Sequence, residues 1–449
     1  MPDAALLWAP AAWLDGAWQP RVLLQADSSG RWQQVTCNVD APEGAQRLPA
    51  PVLPPLVNAH SHAFQRAFVG LAERRDSAHD DFWSWRDRMY GVALRITPQQ
   101  LRAVAAHLYA ELLAGGYTQV CEFHYLHHDP EGQPYADPAE LCWALADAAA
   151  DAGIGLTLLP TLYERAGFAA PALRHDQRRF RGTVREVLAL QRAVQSAGRR
   201  LLNAGAALHS LRAVAPPSLR MLAEQADGPL HIHVAEQQAE VRDCLAATGC
   251  RPIEWLLRHA SIDRRWQLVH ATHSVPSEVE GVAARGAGVV LCPGTEANLG
   301  DGDCDLPGWL AAGVPLTVGS DSQVLRGFSE ELRWLDYGQR LRHQQRNVAA
   351  QPQQQPATAA RLFDRMLAGG AAAAGLDRWG LQAGARADLL LVDTDDPALA
   401  GVPASHLLDA LVFAAPARPF AQVMVAGRWV RLQRPDLQRA HVQAMAQLW

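Results

Sequence analysis

Histidine and aspartate side chains follow several apolar runs of this sequence, and their spacing suits a metal site. His60 and His62 stand one residue apart after the run PPLV, so both imidazoles would lie on one side of an extended backbone and could chelate one ion. Such a pair alone is a weak signal. Further candidates follow other apolar runs, namely His231, His233 and Glu236, then His270, then Ser320 and Asp321. Four such clusters favour one divalent ion, with zinc as the default and Fe²⁺ or Mn²⁺ also suited to these donors.

The basic residues exclude several other chemistries. All 41 residues in the Lys plus Arg total are arginine, so the chain has no lysine. Schiff-base catalysis, pyridoxal-phosphate attachment and the P-loop all need a lysine amine, as does a metal pair bridged by a carbamylated lysine. A hydrolytic metal site must therefore be built from His, Asp, Glu or Cys.

Charge, hydropathy and cysteine content limit the partners and the compartment. The net charge of −5 comes without a basic block, which argues against nucleic-acid binding, and no apolar run approaches the roughly 18 residues of a membrane span. The seven cysteines include no C-x-x-C pair, which favours reduced thiols. Asp3 and Asp15, with no basic residue in the first 20, argue against a signal peptide. We therefore expect a cytoplasmic protein with a small-molecule partner.

A folded scaffold must position these candidate residues, and the hydrophobic pattern of the chain predicts an α/β fold. Residues 54–379 alternate apolar strand-like runs with stretches of helical period, as parallel βα units do. Eight predicted strands end near His60, Tyr125, Tyr163, His209, Glu236, His273, Thr295 and Asp321. Eight is the number of a (β/α)₈ TIM-like barrel, whose active site lies at the carboxyl ends of its strands.

The two ends of the chain predict a second unit. Short aromatic and β-branched runs occur in residues 1–53 and return in residues 380–449, so we expect both termini to complete one small β-sandwich domain. Residues 65–100 form a long excursion after the first barrel strand, expected to be a lid or a substrate loop. The glutamine-rich residues 344–355 are expected to form an exposed connection.

Several motifs together resemble a known family. The segments VNAHSH, HIHVAE, LVHATH and VGSDS resemble the amidohydrolase superfamily in its mononuclear deaminase branch, which needs no lysine. The segments NAHSHAFQRAF, DDFWSWRDRMY, CEFHYLHHDPEG, HSLRAV and CPGTEANLGDG further resemble the formimidoylglutamate deiminases. The resemblance spans nearly the whole chain. It implies hydrolysis of N-formimidoyl-L-glutamate to N-formyl-L-glutamate and ammonia, in histidine degradation, by a homodimer.

The resemblance also assigns roles to the candidate residues. It makes His60, His62, His233 and Asp321 the metal ligands and leaves His231 as a structural histidine. The metal would activate a water molecule, and Asp321 would accept its proton as the amidine carbon is attacked. Glu236 would deliver a proton to the departing nitrogen, and His270 would stabilise the developing charge.

The implied substrate is an amidine with two carboxylates, which calls for cationic partners. Arg86 and Arg212 match the family positions, and guanidinium groups bind carboxylates in a bidentate manner. The remaining matches, expected to hydrogen-bond the carboxylates or the formimidoyl group, are Gln65, Tyr125 and His209.

Other interpretations stay open at this point. The chain could be another mononuclear deaminase, acting on a guanine-like heterocycle or a different amidine, or a non-catalytic barrel that binds a metal. The histidines at 124, 127 and 128 are not expected to form a second metal site, because Pro130 and Gly132 mark a surface turn. Cys292 is expected to pack in the core, whereas Trp83 and Trp85 would either line the pocket or anchor the excursion.

Overall fold

The structure is a computed structural model that describes residues 5–74, 82–416 and 418–449, without the side chains of residues 82 and 83. Its strands are β1 (Leu6–Leu14), β2 (Ala17–Ala26), β3 (Trp32–Thr36), β4 (Gln46–Arg47), β5 (Val52–Leu53), β6 (Leu56–Ser61), β7 (Tyr117–His124), β8 (Gly155–Leu162), β9 (Leu202–Ala204), β10 (Ala206–Ser210), β11 (Leu230–Val234), β12 (Trp266–His270), β13 (Gly288–Leu291), β14 (Leu316–Val318), β15 (Leu389–Val392), β16 (Phe420–Val425) and β17 (Arg428–Val430).

The helices follow the barrel strands or lie near the carboxyl end of the chain. They are α1 (Phe82–Ala93), α2 (Pro98–Ala114), α3 (Glu140–Ala152), α4 (Val184–Ser196), α5 (Pro216–Gln225), α6 (Gln238–Thr248), α7 (Pro252–His259), α8 (Pro276–Arg285), α9 (Pro293–Leu299), α10 (Leu306–Ala311), α11 (Phe328–His343), α12 (Thr358–Ala373), α13 (Leu407–Phe413) and α14 (Pro435–Leu448). Short 3₁₀ helices lie at Ala63–Phe68, His175–Phe180 and Ala404–His406.

A closed parallel barrel forms the centre of the described chain. Its ring runs β6, β7, β8, β10, β11, β12, β13, β14 and returns to β6, with β9 paired beside β8. Its strand residues are almost all buried, as expected for strands covered by helices outside and side chains inside. The predicted (β/α)₈ barrel is confirmed.

Two details of the barrel differ from the sequence-based expectation. The fourth barrel strand is split into β9 and β10 at Gly205, where an added Cβ would lie 2.4 Å from the carbonyl oxygen of Pro229. The seventh strand ends at Leu291 rather than near Thr295, because Pro293 begins α9 and places Thr295 in its first turn.

Both ends of the chain share one sheet, as predicted. Its order is β17, β16, β15, β5, β1, β2, β3, with β4 also paired to β1, and it mixes parallel with antiparallel pairs. The sheet has an apolar core of its own, which includes Leu24, Trp32, Val52, Leu389 and Met424.

The carboxyl-terminal helices contact the barrel unit. Helix α14 packs against α2, and α13 packs against α11 and α12. Their buried leucines, such as Leu411 and Leu448, belong to the same apolar core as the barrel strands. The division at residues 53 and 380 stays a prediction.

The excursion after the first barrel strand contains helices. The 3₁₀ helix follows His62 directly, and α1 carries most of the segment DDFWSWRDRMY. Part of the predicted lid or substrate loop, residues 75–81, lies outside the described residues. Residues 344–355 are largely exposed between α11 and α12, as expected. Within the described chain, no helix is both long and apolar enough to cross a membrane.

Candidate active site

Three imidazoles converge at the carboxyl end of the barrel. His60 and His62 come from the end of β6, and His233 comes from β11 on the opposite side of the ring. The Nε2 atom of His60 lies 3.1 Å from Nε2 of His62 and 2.9 Å from Nε2 of His233. Their side chains are buried. The barrel therefore brings together three of the four predicted ligands at a single point.

The fourth predicted ligand reaches the same point from β14. The Oδ1 atom of Asp321 lies 3.5 Å from Nε2 of His60 and 3.4 Å from Nε2 of His62. Ligand atoms of a tetrahedral zinc site with bonds of about 2 Å are roughly 3.3 Å apart. The observed separations are close to that value.

Backbone carbonyl groups fix the orientation of two of these imidazole rings. Nδ1 of His62 lies 3.0 Å from the carbonyl oxygen of Phe123, and Nδ1 of His233 lies 2.9 Å from that of His209. An Nδ1–H donated to a carbonyl leaves the Nε2 lone pair facing the centre, which is the usual arrangement of a metal-binding histidine.

The protonation states also favour a cation. Burial lowers the pKa of His60 to about 3, and it lowers the pKa values of His62 and His233. For Asp321, burial raises the pKa, but the neighbouring histidines outweigh it, and the net pKa lies below the ordinary value. Three neutral nitrogens and one carboxylate aimed at each other would repel without a positive charge between them. The residues present fit a divalent metal.

His231 points elsewhere. Its Nε2 lies 2.9 Å from the carbonyl oxygen of Ala373, at the end of α12, and the side chain is fully buried. This histidine joins the barrel wall to an outer helix. It takes no part in the donor cluster, which consists of His60, His62, His233 and Asp321.

Two predicted catalytic residues lie beside the donor cluster. Nε2 of His270 is 3.7 Å from Oε1 of Glu236 and 3.8 Å from Oδ2 of Asp321. On its other side, Nδ1 of His270 lies 3.3 Å from Oε1 of Glu296. Burial lowers the pKa of His270, but the carboxylates of Glu236, Glu296 and Asp321 more than reverse this effect. Burial raises the pKa of Glu236, which lets this carboxyl carry a proton near neutrality.

Three members of the donor cluster, His62, His233 and Asp321, line a cavity of about 520 Å³, including its mouth. All five predicted substrate-binding residues line this cavity, and so does Trp85. The amide Nε2 of Gln65 donates to the hydroxyl of Tyr125 at 3.4 Å, while the buried Oε1 atom of Gln65 has no hydrogen-bond partner among the described residues. Two guanidinium groups, those of Arg86 and Arg212, face the same cavity.

Arg212 is held by a carboxylate that the sequence reading did not single out. Its Nη1 lies 3.8 Å from Oε2 of Glu240, and the same oxygen accepts the backbone N–H of Glu236 at 3.1 Å. Glu240 lies in the first turn of α6, and Glu236 precedes that helix. No spacing in the sequence signals this contact, because Arg212 and Glu240 belong to different segments of the barrel.

Other residues of the cavity were also missed. Tyr90, Tyr163 and Phe180 form an aromatic wall, and the buried amide of Gln177 donates to the hydroxyls of Tyr90 and Tyr163 at 3.3 Å and 3.0 Å. Tyr163 follows the third barrel strand, so its position at a strand end could have identified it. The other wall residues come from helices and carry no comparable signal.

The features set aside in the sequence behave as ordinary structure. Among the described residues, possible metal-binding clusters involve His60, His62, His233, His270, Cys292, Glu296 and Asp321, and none includes the histidines at 124, 127 and 128. Cys292 is fully buried at the start of α9, as expected, and all seven cysteines are free thiols. The side chain of Trp83 lies outside the described part.

Comparisons with known proteins place the chain in a family. Residues 52–430 match the model of the amidohydrolase family. The chain is 46% identical over 430 residues to formimidoylglutamate deiminase from Pseudomonas aeruginosa, covering 94% of each chain. It is 27% identical to a 5-methylthioadenosine/S-adenosylhomocysteine deaminase from Natronomonas pharaonis, over 84% of this chain and 80% of that one. A solved amidohydrolase from Brucella melitensis is 41% identical, with a TM-score of 0.92 and 99% of each chain covered.

Proposed function

Because this chain belongs to the amidohydrolase family, we propose that it is a formimidoylglutamate deiminase. It would hydrolyse N-formimidoyl-L-glutamate to N-formyl-L-glutamate and ammonia. The observation that carries the proposal is one cavity lined by His62, His233 and Asp321 and also by two guanidinium groups. The remaining donor, His60, lies with its Nε2 atom 2.9–3.5 Å from the donor atoms of those three residues. The 46% identity to a formimidoylglutamate deiminase over 94% of the chain supports the same substrate.

One divalent ion, with zinc as the first expectation, would be held by His60, His62, His233 and Asp321. When bound, such an ion lowers the pKa of a water molecule and so supplies a nucleophile at neutral pH. Asp321 has a second carboxylate oxygen, Oδ2, which faces His270 at 3.8 Å and would accept the proton of the attacking water.

Glu236 would supply the proton that the leaving group needs. Amide anion is too basic to leave, whereas ammonia leaves readily once the nitrogen is protonated. The raised pKa of Glu236 suits a carboxyl that holds and releases a proton near neutrality. His270, whose pKa is raised by three carboxylates, would act as a fixed positive group beside the carbon under attack.

The two arginines would bind the two substrate carboxylates. Arg212 is nine-tenths buried and already pairs with Glu240, so its guanidinium is held in place before substrate arrives. Arg86 enters the cavity from α1, where its guanidinium also lies over the ring of Tyr90 at 5.5 Å. Gln65, Tyr125 and His209 would hydrogen-bond the remaining polar atoms of the substrate.

A substrate panel tests this assignment. Purified metal-loaded protein would be assayed for ammonia release from N-formimidoyl-L-glutamate, formiminoaspartate, guanine, 8-oxoguanine and 5-methylthioadenosine. We expect the highest kcat/KM with N-formimidoyl-L-glutamate. A higher value with a purine would assign the chain to the related purine deaminases, and no release from any compound would favour a metal-binding barrel without catalysis.

Three further properties follow as proposals from the family resemblance. The reaction would serve histidine degradation, in the cytoplasm, and the protein would be a homodimer. The free state of the seven cysteines is consistent with a reducing compartment. Light scattering of the purified protein would determine the subunit number directly.

A further inference from the structure

The barrel closes at a seam between β6 and β14 that has little strand pairing. These strands share one register position and one isolated bridge, between Ser61 and Asp321. Two backbone bonds complete the junction, from Asp321 N–H to the carbonyl of His60 at 3.0 Å and from His62 N–H to the carbonyl of Asp321 at 3.2 Å. Three of the four proposed metal ligands therefore lie on this sparsely bonded seam.

A chain of buried side-chain hydrogen bonds crosses the same seam. The hydroxyl of Ser61 donates to Oε2 of Glu122 at 2.7 Å and accepts from Nε2 of Gln323 at 3.1 Å. The same Nε2 donates to the carbonyl oxygen of Asp321 at 2.6 Å, and Oε1 of Gln323 accepts from the hydroxyl of Ser320 at 2.7 Å. Ser61 lies between His60 and His62, so this chain joins both ligand-bearing segments.

Glu122 holds the other side of the ligand segment to β7. Its Oε1 accepts the backbone N–H of Ala63 at 2.6 Å, and its Oε2 accepts the hydroxyl of Tyr109 at 3.1 Å as well as that of Ser61. Two of the residues bound by Glu122, Ser61 and Ala63, flank His62 directly. A single carboxylate therefore fixes the backbone on both sides of one proposed ligand.

The turn that carries Asp321 needs such support. Asp321 and Gln323 both have positive φ, 46° and 71°, a region that non-glycine residues rarely adopt. Just before them, Gly319 packs so closely that an added Cβ would lie 2.6 Å from Cβ of His60. A tight turn with unfavourable backbone angles keeps its shape when surrounding contacts determine it, and Gln323 provides two of those contacts.

We propose that Glu122 and Gln323 are positioning residues for the metal site. Through the hydroxyl of Ser61, they hold the segment with His60 and His62 against the turn with Asp321 at the separations that one ion needs. This inference rests on the metal site of the proposed function but not on the substrate. Neither residue would touch the substrate or the ion.

The test compares two hydroxyl deletions of matched chemistry. Ser61→Ala removes the bond of 2.7 Å to the buried carboxylate Glu122. The control position, Thr118, lies on β7 at the opposite end of the barrel. Thr118→Val removes a hydrogen bond of 2.6 Å to the buried carboxylate of Asp388. Zn²⁺ affinity of the full-length protein would be measured by competition with a chromophoric chelator, without substrate. Glu122→Gln provides a second change in the same network.

We expect Ser61→Ala and Glu122→Gln to weaken Zn²⁺ binding by roughly 10–100-fold, as loss of partners behind metal ligands does. Thr118→Val should leave the affinity within about twofold of wild type, although both hydroxyl deletions should lower the melting temperature of the metal-free protein. Wild-type affinity in both network variants, or equal weakening in Thr118→Val, would overturn the inference. Ammonia release by the wild type is measured separately, so the proposed substrate would stand in either case.

Discussion

At the scale of single residues, the proposed chemistry depends on two acidic side chains with different tasks. Asp321 is in the donor cluster, and its pKa lies below the ordinary value beside the histidines. Glu236 lies outside that cluster, and burial raises its pKa. Environments that shift the pKa values of two carboxyl groups in opposite directions are typical of a site where one group starts ionised, ready to accept a proton, while the other starts with a proton to donate.

Substitution of Glu236 by glutamine tests the proton-transfer role. Because glutamine keeps the size and cannot release a proton, we expect kcat to fall by about 10²- to 10⁴-fold while one metal per chain is retained. Ammonia release and metal content would be measured together, with Glu224→Gln on the exposed face of α5 as the control. Undiminished ammonia release would remove Glu236 from the mechanism.

Arg212→Met tests the substrate-binding role. A hydrogen bond to a charged group contributes about 1.5–3 kcal/mol. We therefore expect its loss to raise the KM for N-formimidoyl-L-glutamate by roughly 10–100-fold. Initial rates over a range of substrate concentrations would separate KM from kcat, and Arg220→Met, an exposed change on α5, serves as the control. An unchanged KM would show that Arg212 does not bind the substrate.

The residue types explain which of these side chains the sequence could identify. His60, His62, His233 and Asp321 follow apolar strands, and polar residues at strand ends of a barrel are informative in themselves. Glu240 and Glu296 lie on helices, where a carboxylate is ordinary, and only the folded chain shows their contacts with Arg212 and His270.

At the scale of elements, docking of α14 on α2 brings two histidines together. His441 of α14 stacks on His107 of α2, with ring centroids 4.6 Å apart. Burial, followed by the charges of His107 and Arg66, lowers the pKa of His441 to about 4. Burial also lowers the pKa of His107, although Glu111 opposes the shift.

This pair predicts that acid destabilises the docked helix. Below pH 6.5 a histidine in the unfolded chain takes up a proton that folded His441 resists, so the unfolded state binds more protons and stability falls as the pH drops from 6.5 to about 4. Urea unfolding at several pH values would show a smaller loss for His441→Phe than for the wild type. Substitution of the exposed His406 by glutamine should leave the pH dependence of the free energy of unfolding as in the wild type. The same pH dependence in His441→Phe as in the wild type would contradict the prediction.

Local sequence patterns predicted where strands and helices occur better than they predicted which of these elements pack together. The strand bodies and the helical stretches followed from hydrophobic period, and the wrong end of the seventh strand came from overlooking Pro293 as a helix start. That the residues of α13 and α14 pack on barrel helices could not be read from period alone, because contacts between distant segments depend on which apolar faces meet.

At the scale of the whole molecule, the barrel gathers donors that are far apart in the chain. His60 and His233 are 173 positions apart, yet their Nε2 atoms lie 2.9 Å apart. The predicted barrel topology already places these two histidines close together, because the carboxyl ends of all parallel strands lie on one rim of the barrel. The side-chain network at the seam was not foreseen, because buried serine and glutamine residues have no distinctive spacing in a sequence.

Metal removal and replacement test the central claim, that His60, His62, His233 and Asp321 hold the ion on which hydrolysis depends. Metal-free protein, prepared with a chelator, would be titrated with Zn²⁺ while ammonia release from N-formimidoyl-L-glutamate is followed. We expect no activity without metal, full recovery at one equivalent per chain, and no recovery in His233→Ala. Full activity in the metal-free protein, or normal recovery in His233→Ala, would contradict the account.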